Sequence, residues 1–526
     1  MLSLSRFAFS AGRSVSLRCL SSGVAPTLDE SILNPRASYP EWLESKRCSP
    51  DIQPLIQQYI QTPSSCKFYD LVGRVGAAGC SGPDASPALL EGFIPYKTRP
   101  HLELYSILAQ FSSLLADGMF RGSRGEQSRL ICGPKGIGKS ASLSVFTCIS
   151  PLIHDSIIPL YISYNGIAEN ERLRTDTIGD IVYQELGCVL GFAFEPPGSS
   201  PITLSISALR KAGKRCLLII DELDQFYASN IDPNLQLKSL GQLKMLAEDF
   251  TGSFSTMICG SSTSLPHLIT AHRHYYDGFE TKFPLVKISP SLNNTKFEEI
   301  RLSVSPPNDL DVLKSILGEN TSLATLNMCC FFGGTNPRHL RKFMHSMFWF
   351  SKQYTSSVTT EEQYINFANH ILPTSYRAVA FDTYENTSHI HDKLMLAMYN
   401  KNRSLFSGRL DARTITESDW TQFKPLTYAE LQDMSKHEHG GDIRKFRQDL
   451  LNLTDRMWIV PATYESGIPS QIYPMTMFQV AIAQDLSARS STSIVRALKN
   501  AWDGTPGELL RQGAMELVKS YMRSGG

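Results

Sequence analysis

Several things are missing from this 526-residue chain, and each absence excludes something. No run of about eighteen apolar residues occurs, so no membrane-spanning helix is expected. None of the eleven cysteines forms a Cys-x-x-Cys pair, and only Cys329 and Cys330 adjoin. In so long a chain this argues against a disulfide scaffold and against a structural zinc site. A large excess of charge is missing too: the net charge is +1, so no global basic field advertises nucleic acid, and only a local patch stays open. No internal repeat is visible. Acidic residues are absent from the first 28 positions, where Arg6, Arg13 and Arg18 stand among serines and Asp29 is the first acid. An Arg-rich, Ser-rich, acid-poor start is the composition of a mitochondrial transit peptide, expected over 1–22 with Arg18-Cys19-Leu20-Ser21-Ser22 as its processing site. A plastid peptide or a disordered basic arm has the same composition.

What is present is a phosphate cradle. Gly133-Pro134-Lys135-Gly136-Ile137-Gly138-Lys139-Ser140 fits G-x-x-x-x-G-K-[ST]. Its glycines allow a tight turn that aims backbone N–H groups at phosphate oxygens. Lys139 is placed to reach the β and γ phosphates, and Ser140 to ligate Mg²⁺. The apolar run Ser128–Cys132 before the loop reads as a strand, and Ala141–Phe146 after it as a helix. Further apolar runs follow at Ile158–Tyr164, Cys216–Ile220, Ser255–Cys259 and Leu285–Ile288, with helical patterns around 174–190, 202–212 and 235–249. Such alternation predicts a parallel sheet covered on both faces. An amphipathic helix over 102–119 precedes it.

A cradle of this kind needs an acidic partner at the end of a neighbouring strand. The run Cys216–Ile220 ends in Asp221-Glu222-Leu223-Asp224. Asp221 is placed to hold Mg²⁺ through water, and Glu222 to orient and polarise the attacking water. The strand-end Asp221 is not followed by the glycine of an Asp-x-x-Gly switch, and no Asn-Lys-x-Asp guanine reader occurs, so the expected base is adenine. Gly260-Ser261-Ser262 closes the next strand, where Ser262 could touch the γ-phosphate or the water. Asn336-Pro337-Arg338 starts a helix, since Asn before Pro at the first turn is a good start signal. Arg338 would then point at the nucleotide. Arg273 is a weaker candidate for a trans-acting arginine.

The remaining segments complete an expected α/β architecture: a parallel-sheet P-loop NTPase core, a helical lid and a winged-helix-like α+β domain. The boundaries are an extension over 23–95, the core over 96–292, the lid over 293–350, a helical linker over 351–425, the winged-helix-like domain over 426–486 and C-terminal helices over 487–526. The lid segment from about 296 reads as helical throughout. Within 426–483, helices at 428–435 and 442–457 precede a hairpin of Trp458–Val460 and Ile472–Phe478. Arg444, Lys445, Arg447 and Arg456 on the second helix could contact phosphates, diluted by Asp442, Asp449 and Asp455; Phe446, Leu450, Leu451 and Leu453 read as its core face.

The four elements Gly133–Ser140, Asp221–Asp224, Gly260–Ser262 and Gly334–Arg341 in this order resemble the AAA+ superfamily of P-loop ATPases. The chain is most similar to the branch of archaeal-type and STAND ATPases and to origin-recognition-type initiators. Crinkler-type and retrotransposon-hot-spot ATPases share the look, including the run Tyr161–Asn165. The resemblance covers roughly 100–350 and extends more weakly to 426–483. It implies ATP bound at 133–140, Mg²⁺ held by Ser140 and Asp221, and hydrolysis through Glu222. It also implies an unidentified protein partner, an oligomer as an open option, and nucleic acid as an option through the winged helix. No aromatic-hydrophobic-Gly pore loop or clear arginine finger is present, so polypeptide threading is not expected. Three functions follow from the resemblance: an ATPase driving conformational change in a mitochondrial matrix complex; a nucleotide-binding structural component related to the mitoribosomal small-subunit P-loop protein; or a nucleic-acid-dependent initiator-like ATPase.

Overall fold

Apolar runs without alternation need burial on both faces, and the chain provides it. The computed structural model describes residues 32–33, 128–140, 154–260, 298–347, 387–407, 421–486 and 505–523, with gaps inside these ranges and a few isolated positions besides. Strands β1 (Ile32–Leu33), β2 (Ser128–Cys132), β3 (Ile157–Ser163), β4 (Arg215–Asp221), β5 (Phe254–Gly260) and β6 (Glu298–Arg301) form one sheet in the order β1-β3-β4-β5-β2-β6. β1 pairs antiparallel with β3; every other pairing is parallel. All residues of β3 and β5 are buried, as a sheet packed on both sides requires.

The helices that cover this sheet carry their start and stop signals in sequence. They are α1 (Glu171–Thr175), α2 (Ile178–Leu190), α3 (Pro201–Lys211), α4 (Leu223–Ala228) and α5 (Pro233–Ala247). Thr177 and Asp180 cap α2 reciprocally, the Asp180 N–H donating to Thr177 Oγ1 at 3.2 Å and the Thr177 N–H to Asp180 Oδ2 at 3.3 Å. Proline fills the first turn of α3 and of α5, where its missing N–H costs nothing. The apolar faces of α2, α3 and α5 then close on the sheet through Ile181, Leu186, Leu209 and Leu243, each wholly buried.

Two features of the sheet differ from the sequence expectation. The acidic strand β4 is not the immediate neighbour of the loop-bearing β2, because β5 lies between them. Hydrogen-bonding order is a tertiary property; the loop's need for a nearby acid suggested adjacency. The second difference is at 298–301, expected as the start of a helical segment. Its four residues Glu-Glu-Ile-Arg pair in parallel with β2 as a terminal strand of the described sheet. So short and charged a strand leaves no apolar periodicity to read. The proposed strand at 285–288 and the helix at 102–119 lie outside the described residues.

Beyond the sheet, α6 (Leu310–Leu317), α7 (Leu323–Met328), a π-helical turn (Cys329–Gly333) and a helix beginning at 337 make the lid. Then come α8 (Thr387–Lys401), α9 (Arg403–Ser407), β7 (Leu426–Thr427), α10 (Tyr428–Glu438), α11 (Ile443–Asp455), β8 (Ile459–Glu465), β9 (Ile468–Pro474), α12 (Met477–Leu486) and α13 (Thr505–Arg523). The second sheet has the order β7-β9-β8 and is antiparallel. Helix α8, strand β7, helices α10 and α11 and the β8–β9 hairpin follow the order of a winged helix. Met477 and Phe478, expected in the hairpin, instead open α12.

One hydrophobic core joins the lid, the winged-helix unit and α13. It contains Leu326, Phe331, Phe332 and Phe343 from the lid, Leu394, Phe446, Leu450 and Ile472 from the winged helix, and Leu509 and Leu510 from α13. The Phe332 ring lies 5.0 Å from that of Phe478 and 6.0 Å from that of Phe343. Each such buried ring contributes roughly 2–3 kcal/mol of apolar transfer. Leu451 on α11 belongs instead to the α/β core, so this helix touches both bodies of the protein.

Candidate nucleotide-binding site

The site is assembled where the parallel strands end and the lid begins. Residues 133–138 form the loop between β2 and a helix that starts at Lys139. Gly136 and Gly138 have φ of 82° and 95°, a left-handed backbone that side chains resist. Gly136 also has no room for one: a Cβ there would lie 2.8 Å from Arg338 Cβ and 2.9 Å from Asn336 Oδ1. Lys139 Nζ folds back over the loop, donating to the Gly133 carbonyl at 2.6 Å and the Pro134 carbonyl at 2.9 Å. Ser140 sits in the first turn of that helix, at its electropositive end. This glycine-shaped, ammonium-bearing helix N-terminus is the donor set a polyphosphate requires.

The acids occupy the end of β4. Asp221 is 1% exposed; its Oδ2 accepts from the Tyr161 hydroxyl at 2.7 Å and its Oδ1 from the Glu222 N–H at 3.1 Å. Glu222 stands at φ 53°, the single left-handed non-glycine residue among the described ones. The turn it makes leads directly into α4 and projects the residue away from the strand. Burial pushes the Glu222 carboxyl above its ordinary value, Asp221 and then Asp224 push it further, and Lys135 and Lys139 pull it back. Its carboxylate is therefore a stronger base than a free glutamate and senses both lysines of the loop. Asp224 is buried, and burial raises its carboxyl too, against Lys135 and Lys139. Its Oδ1 meets no hydrogen-bond donor among the described residues. A buried carboxylate oxygen without a donor among the described residues, near Asp221 and Lys139, fits a site that takes Mg²⁺ and its waters.

The lid reaches this site from some 200 residues further along the chain. Asn336 is fully buried; its Nδ2 donates to the Lys135 carbonyl at 3.2 Å, and its Oδ1 accepts the His339 N–H at 3.2 Å. One side chain thus caps the lid helix and grips the loop. The Arg338 N–H donates to the Gly136 carbonyl at 3.2 Å, which sets Arg338 beside the loop. Just before, Gly334 takes φ 64° and packs against the Met475 carbonyl at the end of β9; a Cβ on Gly334 would lie 2.3 Å from it. The loop, lid and winged helix are therefore in direct contact.

Of the residues singled out in sequence, the structure brings together Gly133–Ser140, Asp221, Glu222 and the N-terminus of the Arg338 helix. Ser262 and Arg273 lie outside the described residues, as do 1–22. On α11, Lys445 is exposed, but Arg447 is only 7% exposed and faces inward. The reading of Arg447 as a phosphate-contacting residue is corrected by this burial: it stands three and four residues before the buried Leu450 and Leu451, so it shares their face of the helix. Arg456 lies outside the described residues. Sequence reasoning missed Tyr161, Asp224 and the loop-gripping role of Asn336. The Asp-x-x-Asp spacing signalled Asp224; nothing local signalled the other two.

No family model and no curated protein matches the sequence. Among solved structures, the chain is similar to Cdc6p from Pyrobaculum aerophilum, at 15% identity and a TM-score of 0.35, covering 78% of this chain and 96% of that one. It is similar to a Walker-type ATPase of Pyrococcus abyssi, at 13% identity and a TM-score of 0.36, covering 71% and 94%. The ORC1 protein of Aeropyrum pernix, solved in complex with DNA, aligns at 14% identity and a TM-score of 0.34, covering 78% and 97%. The chemistry of the present site rests on its own residues. Among the described residues no helix is long and apolar enough to cross a membrane.

Proposed function

We propose that this protein is a Mg²⁺-dependent ATPase of the AAA+ type, whose cycle moves the lid and winged-helix unit against the α/β core. The observation that carries the reading is the meeting of three distant segments: the lysine-bearing glycine loop, the buried acidic turn at 221–224, and the lid helix that hydrogen-bonds the loop through Asn336 and Arg338. Ser140 and Asp221 would hold Mg²⁺, which would supply charge neutralisation to the phosphates. The loop N–H groups bind the phosphates, and Lys139 exchanges its two carbonyl acceptors for phosphate oxygens. Glu222, basic through burial and its acidic neighbours, accepts a proton from the attacking water. Arg338 reports the γ-phosphate to the lid. The composition of residues 1–22 supports a mitochondrial matrix location.

The test is nucleotide binding and turnover by the purified chain. Lys139→Ala should weaken binding by at least about 100-fold, and Glu222→Gln should hold ATP without hydrolysing it. Turnover by Glu222→Gln at the wild-type rate would remove Glu222 from the mechanism. Capture of Glu222→Gln from mitochondria with ATP present would isolate the partner.

The helix–strand–helix–helix–hairpin order of the winged unit, with Lys445 exposed on α11, supports a second reading: an initiator-like ATPase driven by nucleic acid. Stimulation of turnover by DNA or RNA that falls steeply with salt would select it.

A further inference from the structure

Asp221 is flanked from both sides of its strand. On β3, Tyr161 lies opposite Ile219, two residues before Asp221 and so on the same face of the sheet. Its hydroxyl donates to Asp221 Oδ2 at 2.7 Å. On β5, Cys259 lies directly opposite Asp221 and so flanks the carboxylate from the other side. The Glu222 N–H takes Oδ1 at 3.1 Å. Tyr161 is 3% exposed, Asp221 1% and Cys259 0%, so water does not compete for these bonds. An ionised carboxylate offers about four lone-pair sites. The two donors, one on each oxygen, orient the carboxylate and leave it further acceptor sites.

We propose that Tyr161 is a positioning residue for Mg²⁺: with the Glu222 N–H on the other oxygen, it fixes the Asp221 carboxylate so that a remaining lone pair faces the ion and its waters. The inference rests on the nucleotide-binding reading above. Tyr161 touches neither nucleotide nor ion; it acts through Asp221. Partners of this kind, one bond removed from a metal, change metal affinity by about 10- to 100-fold when lost.

The experiment uses the full chain and fluorescent ADP, titrated with MgCl₂ and repeated in EDTA, with thermal midpoints measured alongside. Tyr161→Phe keeps the ring and removes only the donor. It should raise the Mg²⁺ concentration at half-saturation about tenfold while leaving ADP affinity in EDTA unchanged. An unchanged Mg²⁺ half-saturation in Tyr161→Phe overturns the proposal. So does an equal loss of ADP affinity with and without Mg²⁺, which would make Tyr161 a packing residue. Wild-type protein that binds no nucleotide sinks the ATPase reading as well, whereas Mg²⁺-dependent wild-type binding with an indifferent Tyr161→Phe sinks the positioning role alone.

Discussion

Glu222 carries two burdens that substitution can separate. Its backbone is left-handed at φ 53°, and its carboxyl is raised by burial and by Asp221 and Asp224. A left-handed non-glycine residue costs about 1–2 kcal/mol. Glycine relieves that strain but loses about 0.5–1 kcal/mol to the greater freedom of the unfolded chain. Glu222→Gly should therefore be more stable than Glu222→Gln by about 0.5–1 kcal/mol, at every pH. The charge acts differently. A carboxyl raised in the folded state makes the ionised form costly there, so the penalty grows as pH rises through that raised value and vanishes below the unfolded value of about 4.3. Glu222→Gln should thus be more stable than wild type at pH 7, with the gain shrinking as pH falls toward 4. Denaturant unfolding of the nucleotide-free core, followed at both pH values for the three proteins, reads both effects. Both variants should lose turnover. A Glu222→Gly protein less stable than Glu222→Gln would refute the strain argument, and a pH-independent Gln gain would refute the charge argument.

Two further perturbations test how the lid is held. Asn336→Ala removes a helix cap and the bond to the Lys135 carbonyl, and should cost about 1–2 kcal/mol by denaturant unfolding. It should also speed ADP release measured by stopped flow, whereas a normal release rate would separate the lid from the loop. Phe332→Ala, in the core shared by the lid and the winged helix, should cost about 3–5 kcal/mol and unfold both units in one transition; separate transitions would show that the two units are not held by a common core.

The fold and half of the site were legible because their signals are local. Uninterrupted apolar runs mark buried parallel strands, glycines and a Lys-Ser mark the loop, and Asp221-Glu222 follows its strand directly. The short β6 was not legible, since four residues with two glutamates carry no period. Burial of Arg447 was hidden because an arginine on a helix with nearby acids reads as solvent-facing.

By itself the sequence determined the α/β core, the glycine loop, the acidic turn and the winged-helix character of the C-terminal part. Each follows from spacing along one stretch of chain. Only the tertiary structure decided that β5 separates the loop strand from the acidic strand, that Tyr161 and Cys259 flank Asp221, and that Asn336 grips the loop. Those are relations across a sheet or between domains. Hydrogen-bonding order and side-chain convergence depend on which strands become neighbours, and that is settled by packing the whole core rather than by any segment within it.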